Sequence, residues 1–207
     1  MSHVLARLNG YGVQLVPYWP YRFVRRAGDD SKAVRVVRLA PDGDVSAWIA
    51  ADRPQGVDGV VDVTTEPSPD GWRIETSVFS VPWPDGFDVA SPTDASDRTS
   101  FYLEGADGAT IFPQGPVVND RLPAPEALVE EGQRIISRDV VDDIQVVELA
   151  YEHDGERWWQ SHWMIPWTPG RTLIFTAQAP ADVVELARRA VERVAHESLP
   201  MLRPSSP

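Results

Sequence analysis

The sequence predicts an α+β fold in which an antiparallel sheet is covered by helices on both faces, an α/β/α sandwich with an N-terminal β extension. Two observations predict the sandwich: a long hairpin near the C-terminus is apolar on both faces, and two helical patterns flank it. A series of short strand patterns in the first third predicts the extension. We expect residues 1–66 to be an extension or arm packed on the main domain, 67–199 to be that domain, and 200–207 to be a disordered tail.

The hairpin spans residues 144–167 and turns at Asp154-Gly155. Asp-Gly between alternating strands favours a type I′ turn, because both central residues of that turn need a positive φ. A two-residue turn places Tyr151 opposite Trp158. One face is then core-like and the other is apolar with polar breaks; aromatic and methionine side chains on such a face make adaptable anchors for a partner. The residues of this mixed face that we expect to bind a partner or ligand are Tyr151, Trp158, Gln160, His162 and Met164.

Two segments show helical patterns and supply the covering layers. Pro125 stands where a helix accepts proline, in its first turn, and Glu126 adds negative charge at the positive end of the helix dipole, which predicts a helix over 125–136. Residues 181–198 carry an apolar stripe at helical spacing and predict the closing helix. We expect one helix on each face of the sheet.

The N-terminal third shows strand patterns broken by turn residues. Residues 12–24 are apolar and aromatic but contain Pro17 and Pro20, which favours an edge strand or an extended arm because proline cannot donate to a strand ladder. The segments 33–39 and 45–50 flank Pro-Asp-Gly and predict a hairpin.

Charge is distributed unevenly along the chain. The net charge of −12 and the pI near 4.7 argue against a general affinity for nucleic acid or anionic lipid. The first forty residues nevertheless hold seven basic residues against Asp29 and Asp30: Arg7, Arg22, Arg25, Arg26, Lys32, Arg35 and Arg38. Arginine forks hold carboxylate or phosphate groups, so this arm is a candidate site for an acidic partner. The residues assigned to that site are Arg22, Arg25, Arg35 and Arg38. The alternative is that the arm docks on the acidic body of its own chain.

Several classes of function are disfavoured by what the sequence lacks. There is no cysteine, which excludes disulfides, thiolate catalysis and cysteine-ligated zinc and fits a cytoplasmic location. No signal-peptide pattern opens the chain, and no apolar run is long enough to span a membrane. No metal-binding, phosphate-binding or nucleophile motif is present. The sequence therefore favours a protein that is not an enzyme and needs no cofactor.

Three stretches of the sequence resemble the PsbP-like family. They are FSVPWPDGFDV, LPAPEALVEEGQRI and RTLIFTAQAPADVVELARRAVERVAHESL, which look like that fold's opening strand and turn, its first helix, and its last strand with the closing helix. The resemblance covers about residues 72–199. It implies an α/β/α sandwich and binding to another protein without a chemical step, and it carries over no site residue.

Three functions remain open. The first is a non-catalytic accessory or adaptor protein that binds another protein through the mixed face or the arginine-bearing arm. The second is a small-ligand-binding or enzymatic domain of the helix-grip kind, with an apolar pocket lined by Trp158, Gln160 and His162. The third is a secretion-related chaperone with an exposed apolar groove, for which a homodimer is expected. What distinguishes them is whether the mixed face is covered by a helix, hollow, or open to solvent.

Overall fold

A computed structural model describes residues 7–10, 13–17, 20–25, 33–40, 43–50, 61–65, 71–94 and 96–201. These residues belong to two compact units: a first unit formed by residues 1–102 and 196–207, and a second unit formed by residues 103–195. The predictions for the following positions lie outside the described residues: the first six residues, Arg26, Asp29, Asp30, Lys32, the Pro41-Asp42 part of the first hairpin turn, and residues 202–207 of the tail.

Strands dominate both units. In chain order they are β1 (Arg7–Gly10), β2 (Val13–Pro17), β3 (Tyr21–Arg25), β4 (Ala33–Arg38), β5 (Val45–Ala50), β6 (Val61–Thr65), β7 (Arg73–Glu75), β8 (Phe79–Pro82), β9 (Phe87–Ala90), β10 (Tyr102–Gly105), β11 (Thr110–Val118), β12 (Arg134–Val141), β13 (Ile144–His153), β14 (Glu156–Thr168), β15 (Arg171–Pro180) and β16 (Leu199–Pro200). The α-helix of the described residues is α1 (Val184–His196). Short 3₁₀ helices occur at Ala106–Gly108, Asn119–Arg121 and Pro125–Leu128.

The first unit contains two groups of antiparallel strands. One sheet has the order β16-β8-β7-β1-β2-β6, and β9, β3, β4 and β5 follow one another in the other group. The predicted hairpin of β4 and β5 is confirmed, with Val36 opposite Ala47. Alternating side chains are buried along β2, as expected for a strand with one face in a core, and the buried residues of β4 are Val34, Val36 and Val37.

The turn between β8 and β9 is held by two side chains. The indole Nε1 of Trp83 donates to the carbonyl oxygen of Phe87 at 2.6 Å. The guanidinium of Arg25 donates to the carbonyl oxygen of Trp83 at 2.9 Å and lies 4.8 Å from the centre of the Trp83 ring. Gly86 supplies the positive φ of +80° that this turn needs. Trp83 and Phe87 are almost fully buried, so the aromatic side chains of this turn are part of a core, whereas Asp85 and Gly86 are exposed.

The second unit is built on an antiparallel sheet with the order β12-β13-β14-β15-β11-β10. The predicted hairpin of β13 and β14 is confirmed with its register, since Tyr151 lies opposite Trp158 and Val147 opposite His162. Asp154 and Gly155 both have a positive φ, as a type I′ turn requires.

Helix α1 covers one face of this sheet. The guanidinium of Arg188 bonds to the carboxylate of Glu148 at 3.0 Å and lies 5.2 Å from the centre of the Trp159 ring, which places the helix on the core-like face of the hairpin. The helix buries one apolar stripe: Ala187, Ala190, Val191, Val194 and Ala195. The prediction of a closing helix is therefore confirmed, three residues shorter at its start and two at its end.

The prediction of helices on both faces is wrong. The fold is mostly β, and in the part of the chain that the structure describes the second face is not covered by an α-helix. The segment predicted to be helical over 125–136 forms a single 3₁₀ turn at Pro125–Leu128, and Val129 is already extended. From Arg134 the chain is strand β12, paired with β13. The α/β/α sandwich that the PsbP-like resemblance implies is therefore not the architecture of this chain.

Local chemistry explains why the segment 125–136 is not a helix. Gly132 has φ of +84°, which interrupts a right-handed helix. The sequence that follows is rich in β-branched residues, which fit a half-buried strand. Asp142 and Asp143 both take a positive φ and close a two-residue turn, so that β12 and β13 form a hairpin. Asp139 lies within strand β12, and Asp142 and Asp143 form the turn that follows it.

The second face is covered in part by irregular chain. A buried cluster on this face consists of Val147, Leu149, Met164 and Ile174. The side chains packed against it from the connection between β11 and β12 and from the strands beside it are Val117, Leu122, Leu128, Val129 and Ile135. We call the connection between β11 and β12, residues 119–133, the covering segment, and its apolar side chains pack on the Met164 end of the face.

Candidate functional site

The mixed face of the β13–β14 hairpin brings together the five residues predicted to bind a partner or ligand. We call this surface the aromatic face, defined by Tyr151, Trp158, Gln160, His162 and Met164. The register places all five on one side of the sheet, because residues two apart on a strand share a face and residues opposite each other do too. Whether a partner or ligand binds there stays a prediction.

The aromatic face is partly open at the hairpin end. The rings of Tyr151 and Trp158 are stacked, with their centroids 6.2 Å apart and their planes 26° apart, and both side chains are half-buried. Trp158 also lies opposite Pro180 and beside Gly108. Its indole Nε1 has no hydrogen-bond partner among the described residues. This end presents a rigid aromatic pair with part of its surface in solvent.

The same face is closed at its other end. Met164 is 6% exposed and belongs to the buried cluster, and His162 is 7% exposed. Gln160 is half-buried and lies between the two ends. The aromatic face is therefore covered at Met164 by the segment between β11 and β12 and partly open at Tyr151 and Trp158.

Five polar side chains form a hydrogen-bonded row across this face. We call it the polar row: Gln133, Gln160, His162, Thr176 and Gln114. The nitrogen Nε2 of Gln133 lies 3.4 Å from Oε1 of Gln160, and Nε2 of Gln160 lies 2.9 Å from Nε2 of His162. His162 Nδ1 is 3.0 Å from the hydroxyl of Thr176, which lies 3.5 Å from Oε1 of Gln114. The row thus joins β11, β14, β15 and the segment before β12.

The donor and acceptor of each hydrogen bond in the polar row follow from the bond at its Gln133 end. The main-chain N–H of Glu130 donates to Oε1 of Gln133 at 3.0 Å, and a main-chain N–H can only donate. The Gln133 amide nitrogen must therefore face Gln160, whose own amide nitrogen must donate to Nε2 of His162. His162 is then neutral with its proton on Nδ1, which donates to Thr176. Burial lowers the pKa of His162 below its ordinary value and favours this neutral form.

A charge on the covering segment, that of Glu130, also acts on Tyr151 at the open end of the aromatic face. Partial burial raises the pKa of Tyr151, and the negative charge of Glu130 raises it further. Glu130 precedes Gln133 by three residues and is fixed to it through the main-chain bond described above. The turn from Glu130 to Gln133 therefore lies beside the open part of the aromatic face.

A cavity of about 180 Å³ opens at the Met164 end of the second unit. Its lining is mixed in polarity and consists of Asn119, Leu122, Asp143, Gln145, Met164, Pro166 and Thr172. The hydroxyl of Thr172 donates to Oδ1 of Asn119 at 3.0 Å across this lining. The cavity shares only Met164 with the aromatic face, so it is not the pocket of Trp158, Gln160 and His162 that the helix-grip alternative requires.

The four candidate arginines are not gathered into one site. Arg25 forms an ion pair with Asp85 at 2.6 Å as part of the turn that holds Trp83, and Arg22 lies 4.0 Å from Asp88. Both use carboxylates of their own chain, as the alternative for the basic arm expects. Arg35 donates to the hydroxyl of Ser46 at 3.4 Å, and Arg38 is exposed at the end of β4. Binding of an acidic partner by these arginines stays a prediction.

Sequence reasoning missed three members of the polar row: Gln114, Gln133 and Thr176. Gln133 falls within the helix predicted over 125–136, and that prediction gives no reason to place its side chain beside Gln160. A signal for Thr176 existed in the alternation of β15, whose polar residues Thr172, Thr176 and Gln178 share one face. Thr176 lies opposite His162 because the register of β14 shifts between Pro166 and Thr168, and no pattern in the sequence predicts that shift.

Two further observations limit the chemistry of the described residues. No group of three or more histidine, aspartate or glutamate side chains comes together there in a way that could hold a metal ion. The helix of the described part is not long and apolar enough to cross a membrane.

The fold and the site together define a class of protein: a mostly β protein with a half-open aromatic face and, in its described part, one amphipathic helix on the opposite face of the sheet.

Comparisons with known proteins place this chain in no family. No family model matches it, and no curated protein matches it. Among solved structures it is similar to the crystal structure of LpqN, involved in cell envelope biogenesis of Mycobacterium tuberculosis, with a TM-score of 0.42 and 17% identity. That similarity covers 60% of this chain and 83% of LpqN. A likeness of this size carries no conclusion about function.

Proposed function

We propose that this protein is a non-catalytic accessory or adaptor protein that binds another protein through the open end of the aromatic face. The observation that carries the proposal is the stacked pair of Tyr151 and Trp158, which is partly exposed on a sheet whose other face is covered by α1. Rigid aromatic side chains give a large contact area at a small entropic cost and are the commonest anchors of protein interfaces.

The surroundings of the pair support a protein partner. Gln160, next to Trp158 on this face, presents a half-buried amide already oriented by the polar row. An apolar centre with oriented polar groups at its border is the usual anatomy of a protein–protein interface. A role as a secretion-related chaperone belongs to the same proposal, and a cytoplasmic location goes with it as a prediction.

Site-specific photo-crosslinking tests the proposal. A photoreactive phenylalanine analogue at Tyr151 should capture a protein in cells of the source organism, and the same analogue at Trp48 serves as the matched control. Trp48 is 50% exposed and belongs to the first unit, so it reports capture by any exposed aromatic position. Trp158→Ala should then weaken binding of the purified partner by about 30-fold, the loss typical of a central aromatic anchor. Equal capture at both positions, or unchanged affinity, would refute the proposal.

A second candidate is binding of a small ligand, which the cavity at Met164 favours. Its volume of about 180 Å³ is below the roughly 300 Å³ at which ligand pockets usually begin, so it suits only a very small molecule. Native mass spectrometry of protein purified gently from its source separates the two candidates. A stoichiometric small-molecule mass that disappears in Met164→Trp would support this second candidate.

A further inference from the structure

We propose that His162 is a pH-sensitive latch: protonation of its Nε2 turns the amides of Gln160 and Gln133 and releases the bond between Gln133 and the main chain of Glu130. The turn freed in this way lies beside the open end of the aromatic face, where Glu130 acts on Tyr151. The consequence for partner binding rests on the proposed function, whereas the latch itself does not.

The neutral state gives every bond in the row one donor and one acceptor. The amides of Gln133 and Gln160 donate toward His162 through their nitrogens. His162 donates to Thr176, whose hydroxyl donates to the amide oxygen of Gln114. The main-chain N–H of Glu130 fixes the amide of Gln133 and thereby that of Gln160. The row has one self-consistent arrangement when His162 is neutral.

Protonation makes that arrangement impossible. A proton on Nε2 of His162 points at the amide nitrogen of Gln160, 2.9 Å away, so that two donors face each other. Gln160 relieves this by turning its oxygen toward His162, which turns its nitrogen toward the nitrogen of Gln133. Gln133 must then turn as well, and its nitrogen meets the N–H of Glu130. No acceptor remains for that N–H, and the bond of 3.0 Å is lost.

His162 is the ionisable member of the polar row. Its direct neighbours across the sheet are Val147 on β13 and Thr176 on β15, which are uncharged. A hydrogen bond to its own main chain and the charge of Arg138 lower the pKa of Glu126, so that pair remains ionised through weak acid. Other ionisable groups lie on this face, at its edge or on the segment that covers it: Glu104, Asp120, Arg121, Glu126, Glu130, Glu131, Arg138, Asp143, Tyr151, His153 and Glu156. His153 is a second imidazole on this face, with its ring 6.3 Å from that of Trp158, so the His162→Gln variant is needed to assign a pH effect to His162.

Amide hydrogen exchange followed by NMR on the full chain tests the latch. Protection factors are compared at about pH 7.5 and about pH 5, on either side of the ordinary pKa of histidine. The protection of the Glu130 amide should fall about fivefold at the lower pH, the loss expected for one hydrogen bond. The amide of Ala127, which donates to the carbonyl of Ala124 at 2.8 Å in the same segment, is the internal control and should keep its protection.

Two variants separate the latch from a general loosening in acid. In Gln133→Ala the Glu130 amide should be poorly protected at both pH values. In His162→Gln, which cannot be protonated, its protection should not change with pH. Gln133 is only half-buried, so its variant folds even if replacement of the buried His162 prevents folding.

Three results would overturn the latch. One is unchanged protection of Glu130 while the imidazole nitrogen signals show that His162 titrates. Another is a proton on Nε2 at about pH 7.5, and the third is a His162 that stays neutral until the protein unfolds. Binding of the crosslinked partner to wild type and Gln133→Ala is measured separately. A working latch with no partner at the aromatic face would refute the proposed function alone.

Discussion

Nδ1 of His162 lies 3.0 Å from the hydroxyl oxygen of Thr176, and this pairing depends on an irregularity in β14. Thr168 and Arg171 face each other across the turn that joins β14 to β15. A regular ladder continued from that pair would put Ala177 opposite His162. The register shifts between Pro166 and Thr168, and Thr176 occupies the place instead. One extra residue in a strand thus completes the polar row.

The stability of the protein should decrease as the pH falls below about 6.5. Burial lowers the pKa of His162 from 6.5 in the folded state, so the unfolded chain binds more protons in weak acid. This contribution to the free energy of unfolding is fully present above pH 6.5 and is lost as the pH falls toward the folded pKa. Urea denaturation at a series of pH values measures it. His162→Gln should flatten this part of the profile, and an unchanged slope in that variant would contradict the prediction.

Leu149→Ala should destabilise the protein by about 2–5 kcal/mol, because it leaves a cavity in the buried cluster under the covering segment. The matched control is Val140→Ala on the neighbouring strand β12, whose side chain is 70% exposed and should cost less than about 0.5 kcal/mol. Urea denaturation midpoints of the two variants give the comparison. Similar losses would mean that Leu149 is not in a tightly packed core.

The two glutamates that bind Arg188 should differ in coupling energy. Glu148 lies on the sheet with its side chain 15% exposed, whereas Glu185 lies on the same helix with its side chain 74% exposed. Double-mutant cycles with Arg188→Met should give about 1–2 kcal/mol for Glu148→Gln and about 0.3–0.5 kcal/mol for Glu185→Gln. The reverse order would show that α1 is not fastened to the sheet through Glu148.

Arg25→Ala should destabilise the first unit far more than Asp85→Ala. The arginine donates to the carbonyl of Trp83 and lies over the Trp83 ring, so its removal costs about 2 kcal/mol. The carboxylate of Asp85 is 81% exposed, and its ion pair with Arg25 should contribute less than about 1 kcal/mol. Thermal unfolding of both variants measures the difference. Equal losses would mean that the ion pair, and not the contact with Trp83, holds the turn.

The elements that were predicted well are those whose signals are local. The turn at Asp154-Gly155 needs two positive φ values that this pair adopts readily, and it sets the register of β13 and β14 over their whole length. Helix α1 has an unbroken apolar stripe. The five residues of the aromatic face could be grouped from sequence because they depend only on that one turn.

The helix predicted over 125–136 failed because local helix signals compete with strand pairing. Pro125 and Glu126 do begin a helical turn, but it ends at Leu128. The β-branched residues after Gly132 gain more from pairing with β13 than from continuing a helix. That gain is invisible in the segment itself, since it depends on a strand that follows later in the chain.

The sequence by itself determined the long hairpin, its register, the side on which Tyr151 and Trp158 lie, and the helix that closes the chain. It did so because turn chemistry and periodicity act between residues close in sequence. The tertiary structure alone decided which end of the aromatic face is open, and it alone joined Gln133, His162 and Thr176. These contacts depend on the path of the covering segment and on a shift of one residue in β14, and both arise only when distant strands pack together.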